Sequence, residues 1–106
     1  MVQVHLFIGG YVHSVGFRAF VKREAEKLGL TGWVRNLPAG RQALPDNRVE
    51  VLAQSSASSD QEAKEALEQL ILLCRKGPFI AEVRGVSVSW EETKGTYSDF
   101  HILGTE

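Results

Sequence analysis

The chain has 106 residues, of which 43% are hydrophobic and 24% charged, and its formal net charge is −1; this is the profile of one globular domain, residues 1–106, with a modest core. The balance excludes a general nucleic-acid binder, which needs a basic excess, and no apolar run approaches the ~20 residues of a membrane span. The lone Cys74 excludes an internal disulfide and, with no metal-type cluster around it, reads as a buried thiol on a helix face.

Residues 2–8, VQVHLFI, alternate Val2, Val4, Leu6 and Ile8 with Gln3 and His5, which predicts a strand with one buried face. This start lacks the basic region of a signal peptide, so the expected address is cytoplasmic. Residues 9–16, GGYVHSVG, read as a glycine-rich turn. From Phe17 the period changes: Phe17, Phe20, Val21, Ala25 and Leu28 recur at helical spacing, and Gly29 stops the helix. Residues 30–36 are a second strand, weakened by Gly32. Residues 37–47, LPAGRQALPDN, carry turn chemistry, and residues 48–54, RVEVLAQ, alternate again as a third strand.

SSASSD (55–60) starts a second helix, with Ser58 and Gln61 or Ser59 and Glu62 as a capping box. Ala63, Ala66, Leu67, Leu70, Ile71 and Cys74 trace its apolar face, and Gly77-Pro78 ends it. Residues 83–91 alternate through Val86, Val88 and Trp90. KGTYSD is a turn and FHIL (100–103) a last short strand. The order is β-α-β-β-α-β with a short final strand. Each helix has one apolar stripe to bury, so the expected architecture is α+β, a ferredoxin-like sandwich with an antiparallel sheet and both helices on one face.

The chemistry concentrates at GGYVHSVGFR. A turn here aims several backbone N–H groups at one point, and the start of a helix adds further unpaired N–H groups and partial positive charge. An anion suits that place. Arg18 offers a planar fork to two phosphate oxygens. Residues 18–35 hold five basic groups (Arg18, Lys22, Arg23, Lys27, Arg35) against two acidic ones (Glu24, Glu26), so the positive excess lies just after the turn. No Gly-Lys-Ser/Thr follows, and Gly9, Gly10 and Gly16 do not make G-x-G-x-x-G, which argues against a nucleotide loop. The same residues also suit a tight strand-to-helix turn with a surface arginine, and spacing alone does not separate the two. Asn36, at the end of the second strand, reaches the same edge in this topology. It either holds a water in line with a phosphoryl group or simply opens the turn before Leu37-Pro38.

GYVHSVGFRAFVKREAEKLGLTGWVRNLPAG, from Gly10 to Gly40, resembles the signature of the acylphosphatase family: a G-x-V-Q-G-V-x-F-R loop, a helix ending in G-L-x-G-W-V-R-N, then a turn. The likeness continues more weakly through RVEVLAQ, GPFIAEV and YSDFHIL. It implies hydrolysis of the carboxyl-phosphate anhydride of small acyl phosphates to carboxylate and inorganic phosphate. It puts the catalytic roles on Arg18 and Asn36, and the phosphate-binding backbone on His13, Ser14, Val15, Gly16 and Phe17. Neither metal nor organic cofactor is implied. The expected partners are the substrate and phosphate alone, with no nucleic acid or membrane, for a monomer. The alternative is a non-catalytic acylphosphatase-like module that binds an anion or a partner.

Three departures stand out. His13 replaces the usual Gln and would add positive charge near an anion below about pH 6.5. Ser14 replaces the usual Gly, at a strain of ~1–2 kcal/mol if φ is positive; the expectation is that the turn adjusts and anion binding survives. RQALPDN (41–47) lengthens the hairpin as a surface extension. RVEVLAQ lacks the stacking aromatics of an RNA-binding sheet. Trp33 and Trp90 read as packing residues, and His5 and His101 as ordinary surface histidines.

Overall fold

The computed structural model describes residues 2–13, 15–37, 47–93 and 95–104. The expectations for Ser14 and for most of the 41–47 extension therefore lie outside the described residues. Among the described residues seven elements follow in order: β1 (Val2–Tyr11), α1 (Phe17–Lys27), β2 (Leu30–Leu37), β3 (Asn47–Ser55), α2 (Asp60–Lys76), β4 (Glu82–Glu92) and β5 (Phe100–Ile102). The strands form one sheet in the order β4-β1-β3-β2-β5.

The core lies between one face of that sheet and the two helices. Val4, Leu6 and Ile8 of β1 and Val49, Val51 and Ala53 of β3 point the same way, onto Phe17, Val21 and Ala25 of α1 and Leu67, Leu70 and Cys74 of α2, all essentially buried. The two periodicities in the sequence, two for the strands and 3.6 for the helices, thus meet in one apolar layer. Each large side chain buried there contributes about 1.5–3 kcal/mol. Helix α2 starts as its sequence indicates: the Ser59 hydroxyl accepts from the Glu62 N–H at 3.1 Å, selecting one of the two candidate caps. Asp60 and Glu62 sit in its first turn and Arg75 and Lys76 in its last, each matched to the helix dipole. No helix among the described residues is long and apolar enough to cross a membrane.

Two expectations about the strands change. First, β1 does not end before the glycines; it runs through Gly9 and Gly10 to Tyr11. The β1–β4 register shifts there, with Gly9 opposite Gly85 and Gly10 opposite Val83, so Arg84 is the extra residue of a bulge. Gly10 has φ +134°, and a Cβ on it would lie 2.2 Å from the Glu82 carbonyl oxygen. Close approach to β4 explains this glycine, and the turn that follows β1 is correspondingly shorter.

Second, the sheet is mixed. The four long strands are antiparallel, but β5 pairs parallel to β2, with Gly32 opposite Phe100 and Val34 opposite Ile102. The reason is where the chain crosses. Glu92 at the end of β4 faces Val2, Gln54 faces Gln3, and Leu30 faces Ser55, so β4 and β3 finish at the end where β1 and β2 begin. The connection crosses at that end: Gln54 Nε2 donates to the Gly95 carbonyl at 2.7 Å, and the Gly32 N–H donates to the Asp99 carbonyl at 3.0 Å. β5 therefore starts beside the start of β2.

No helix among the described residues covers the other face of the sheet, and its centre is polar. Glu50, 5% exposed, accepts from Arg35 Nε at 2.7 Å and lies 2.5 Å from His5 Nε2. A buried carboxylate requires such partners, so His5 is a half-buried member of a charged network rather than an ordinary surface histidine. Trp33 packs beneath the Arg35 guanidinium, 5.2 Å from its ring centre. Cys74 faces the core, and burial pushes its thiol up to about 12, leaving almost no thiolate near neutrality. Iodoacetamide at pH 8 is expected to leave Cys74 unmodified in the native protein and to alkylate it fully in denaturant. Mass spectrometry reads both outcomes, and rapid native labelling would contradict the burial.

Candidate active site

β1, α1 and β2 each contribute one part of a small recess. Beyond Tyr11 the chain drops Val12 (1% exposed) and Val15 (7%) into the core, so the turn is pinned on both sides of its middle. Gly16 then takes φ +76° and ψ +20°, left-handed backbone that glycine adopts without strain. A Cβ on it would meet nothing within 4 Å, so backbone conformation rather than space calls for this glycine. The Gly16 carbonyl accepts the first helical bond, from the Phe20 N–H at 2.9 Å.

The start of α1 contrasts with that of α2. Among the described residues no side chain caps it, and no acidic residue lies in its first turn. Its leading N–H groups and its positive dipole end are left to an outside acceptor. Arg18, half-buried, stands in this first turn and has no carboxylate partner among the described residues.

Asn36 approaches from β2. In that strand Leu30, Gly32, Val34 and Asn36 share the face toward the helices, and pairing with Val49 fixes Asn36 at the sheet end where β1 finishes. The residue is 9% exposed. Its Oδ1 is buried and has no hydrogen-bond partner among the described residues. Leaving such an acceptor unpaired destabilises a fold by about 1–3 kcal/mol, which makes Asn36 a poor choice for structure alone.

These groups meet in a recess of about 220 Å³ lined by Val12, Gly16, Phe17, Arg18, Ala19, Asn36 and Ile102. Of the residues singled out in the sequence, Arg18, Asn36, Gly16 and Phe17 come together there. The Val15 side chain is buried in the core, which leaves the expectation for its backbone N–H as it was, and Ser14 is outside the described residues. The His13 side chain turns to β3, where its Nε2 lies 2.7 Å from the Arg48 carbonyl oxygen. Ile102 carried no signal in the sequence, because its place depends on the parallel pairing of β5.

A larger recess, about 550 Å³, lies at the opposite end of the sheet and is lined by Asp60, Glu68, Glu91 and Glu92 with Lys64, Trp90 and Val2. Four carboxylates against one lysine repel a phosphate. Chemistry therefore favours the smaller recess, where an arginine, an uncapped helix start and a buried acceptor converge.

Residues 4–102 match the family model described as acylphosphatase. An acylphosphatase of Methylococcus capsulatus is 39% identical over 103 residues, covering 97% of each chain. One from Thermococcus kodakarensis is 41% identical over 103 residues, again covering 97% of each. Among solved structures, the crystal structure of acylphosphatase from Bacillus subtilis superposes with a TM-score of 0.76 at 31% identity, covering 97% of this chain and 99% of that one.

The unpaired Oδ1 gives a stability prediction. Asn36→Leu, close in shape and free of the orphan acceptor, is expected to stabilise the protein by about 1 kcal/mol in urea denaturation. A loss of similar size would mean that the amide is satisfied and structural.

Proposed function

The chain belongs to the acylphosphatase family and hydrolyses acyl phosphates, and we propose that the reaction runs in the recess between the start of α1 and Asn36. The substrate is a mixed anhydride whose leaving group is a carboxylate, stable at neutral pH without protonation. Little acid–base help is needed, so the protein's task is positioning and charge stabilisation.

Arg18 supplies two parallel N–H donors to non-bridging phosphoryl oxygens. The backbone N–H groups from His13 to Phe17, with the positive end of α1, hold the remaining charge. Asn36 Oδ1 accepts one O–H of a water and turns the water's lone pair toward phosphorus. The water oxygen bonds to phosphorus as the bond from phosphorus to the acyl oxygen breaks. The electron pair leaves with the carboxylate, and the water's proton passes to a phosphoryl oxygen, giving inorganic phosphate. An amide is no base, which suits a reaction whose leaving group needs no push.

The observation that carries this reading is the buried Asn36 Oδ1, left without a partner among the described residues in the same recess as Arg18. An acceptor there is costly to the fold and apt for holding a water.

With benzoyl phosphate as substrate, Arg18→Ala is expected to lower kcat/KM by roughly 10²–10³, the scale of losing a principal oxyanion donor. Arg18→Lys keeps the charge without the fork and should recover only part of this. Asn36→Leu should lower kcat while leaving KM within about 3-fold, because Asn36 touches the water rather than the substrate. Near-normal hydrolysis by Arg18→Ala would overturn the assignment.

A further inference from the structure

We propose that the His13 side chain is a positioning residue: a clamp that ties the phosphate-binding turn to strand β3 and thereby sets the turn's place relative to Asn36. The inference rests on the reading above that this turn holds the phosphoryl group.

The geometry is specific. His13 Nε2 lies 2.7 Å from the Arg48 carbonyl oxygen. A carbonyl only accepts, so Nε2 carries the hydrogen and the neutral ring is the Nε2–H tautomer. The chain has left the sheet by then: the final β1–β3 pair is Gly10 with Asn47, and Arg48 is the β3 residue opposite Gly9. His13 reaches back from the turn to the strand it has just departed. The neighbouring anchors, Val12 and Val15, are apolar and buried; they hold the turn against the core but do not fix its direction. His13 supplies a directional tether.

The far side of β3 explains why this tether matters. Arg48 faces Leu37 and Val49 faces Asn36 on β2. One hydrogen bond therefore links the turn to the strand whose next residue registers Asn36. The clamp keeps the N–H cradle at a set distance from the proposed water-holding amide. Because the cradle grips a phosphoryl group in substrate and product alike, loosening it weakens the binding of both, and because it also displaces the phosphoryl group from the water on Asn36 it lowers kcat.

Three proteins test this: wild type, His13→Leu, which removes the donor, and His13→Gln, whose amide N–H replaces it. KM for benzoyl phosphate and the inhibition constant for inorganic phosphate are measured well below each Tm. His13→Leu should raise both on the order of 10-fold, the scale of one net hydrogen bond, and lower kcat as well. His13→Gln should return both constants to within about 3-fold of wild type. Constants in folded His13→Leu within about 2-fold of wild type overturn the clamp, as does His13→Gln failing as badly as His13→Leu.

The wild-type protein provides an independent check should His13→Leu not fold. A long-range proton–nitrogen correlation spectrum at pH 8 should show His13 as the Nε2–H tautomer, and the Nδ1–H tautomer overturns the proposal. Normal hydrolysis by Arg18→Ala would instead remove the site assignment, leaving the tautomer and its hydrogen bond to be judged by themselves.

Discussion

The antiparallel pairing of β3 with both β1 and β2 sets where everything else can go. Val51 faces Leu6 on one side and Val34 on the other, so three strands share one apolar layer for the helices to cover. The same register fixes the sheet ends. Gly10 is opposite Asn47 and Asn36 is opposite Val49, which brings the exit of β1 and the end of β2 to one edge, two strands apart. A one-residue slip of β3 would turn its buried valines to the polar face and would also move Asn36 away from the turn. Core and site thus depend on one register, and strong selection for the first secures the second.

On this frame, the recess is where local rules of good folding are broken together. Helix α2 has its side-chain cap and matched terminal charges; α1 has neither cap nor first-turn acid. The turn needs a left-handed residue at Gly16, and Asn36 buries an acceptor without a partner among the described residues. The missing cap and the unpaired acceptor are each mildly destabilising alone, and the left-handed position admits little but glycine. Their convergence within one recess, beside Arg18, is what separates a site from scattered imperfection. The larger recess at the other end shows the contrast: it has volume but a repulsive charge pattern for this substrate.

Much of the fold was legible because it is local. The change of period at Phe17, the stop at Gly29 and the Ser59 cap each rest on residues within a turn or two of one another. Arg18 and Asn36 were legible for a different reason, since the G-x-x-x-x-V-G-F-R and G-W-V-R-N spacing links them across a whole helix. What sequence did not reveal depends on distant partners. Gly9 and Gly10 look like turn residues until β4, some 75 positions away, is seen to bulge against them. The Glu50 network joins His5, Arg35 and Glu50 from three strands. The His13 contact joins a turn to a backbone carbonyl, and backbone acceptors leave no trace in side-chain patterns.

The parallel strand β5 makes the same point about the site itself. Without it β2 would be the sheet edge, and water would reach Asn36 from the side. β5 covers that edge as far as Val34: Val34 faces Ile102, the Leu103 N–H donates to the Val34 carbonyl at 2.8 Å, and Ile102 lines the recess beside Asn36. Phe17, Arg18 and Ala19 of α1 line the recess from the helix side. An amide oxygen shielded in this way binds a single water far more selectively than one on an open edge, because bulk solvent no longer competes for it and the local dielectric is lower. The short strand that looks like a tail in the sequence is therefore part of the recess in which Asn36 is proposed to direct a water.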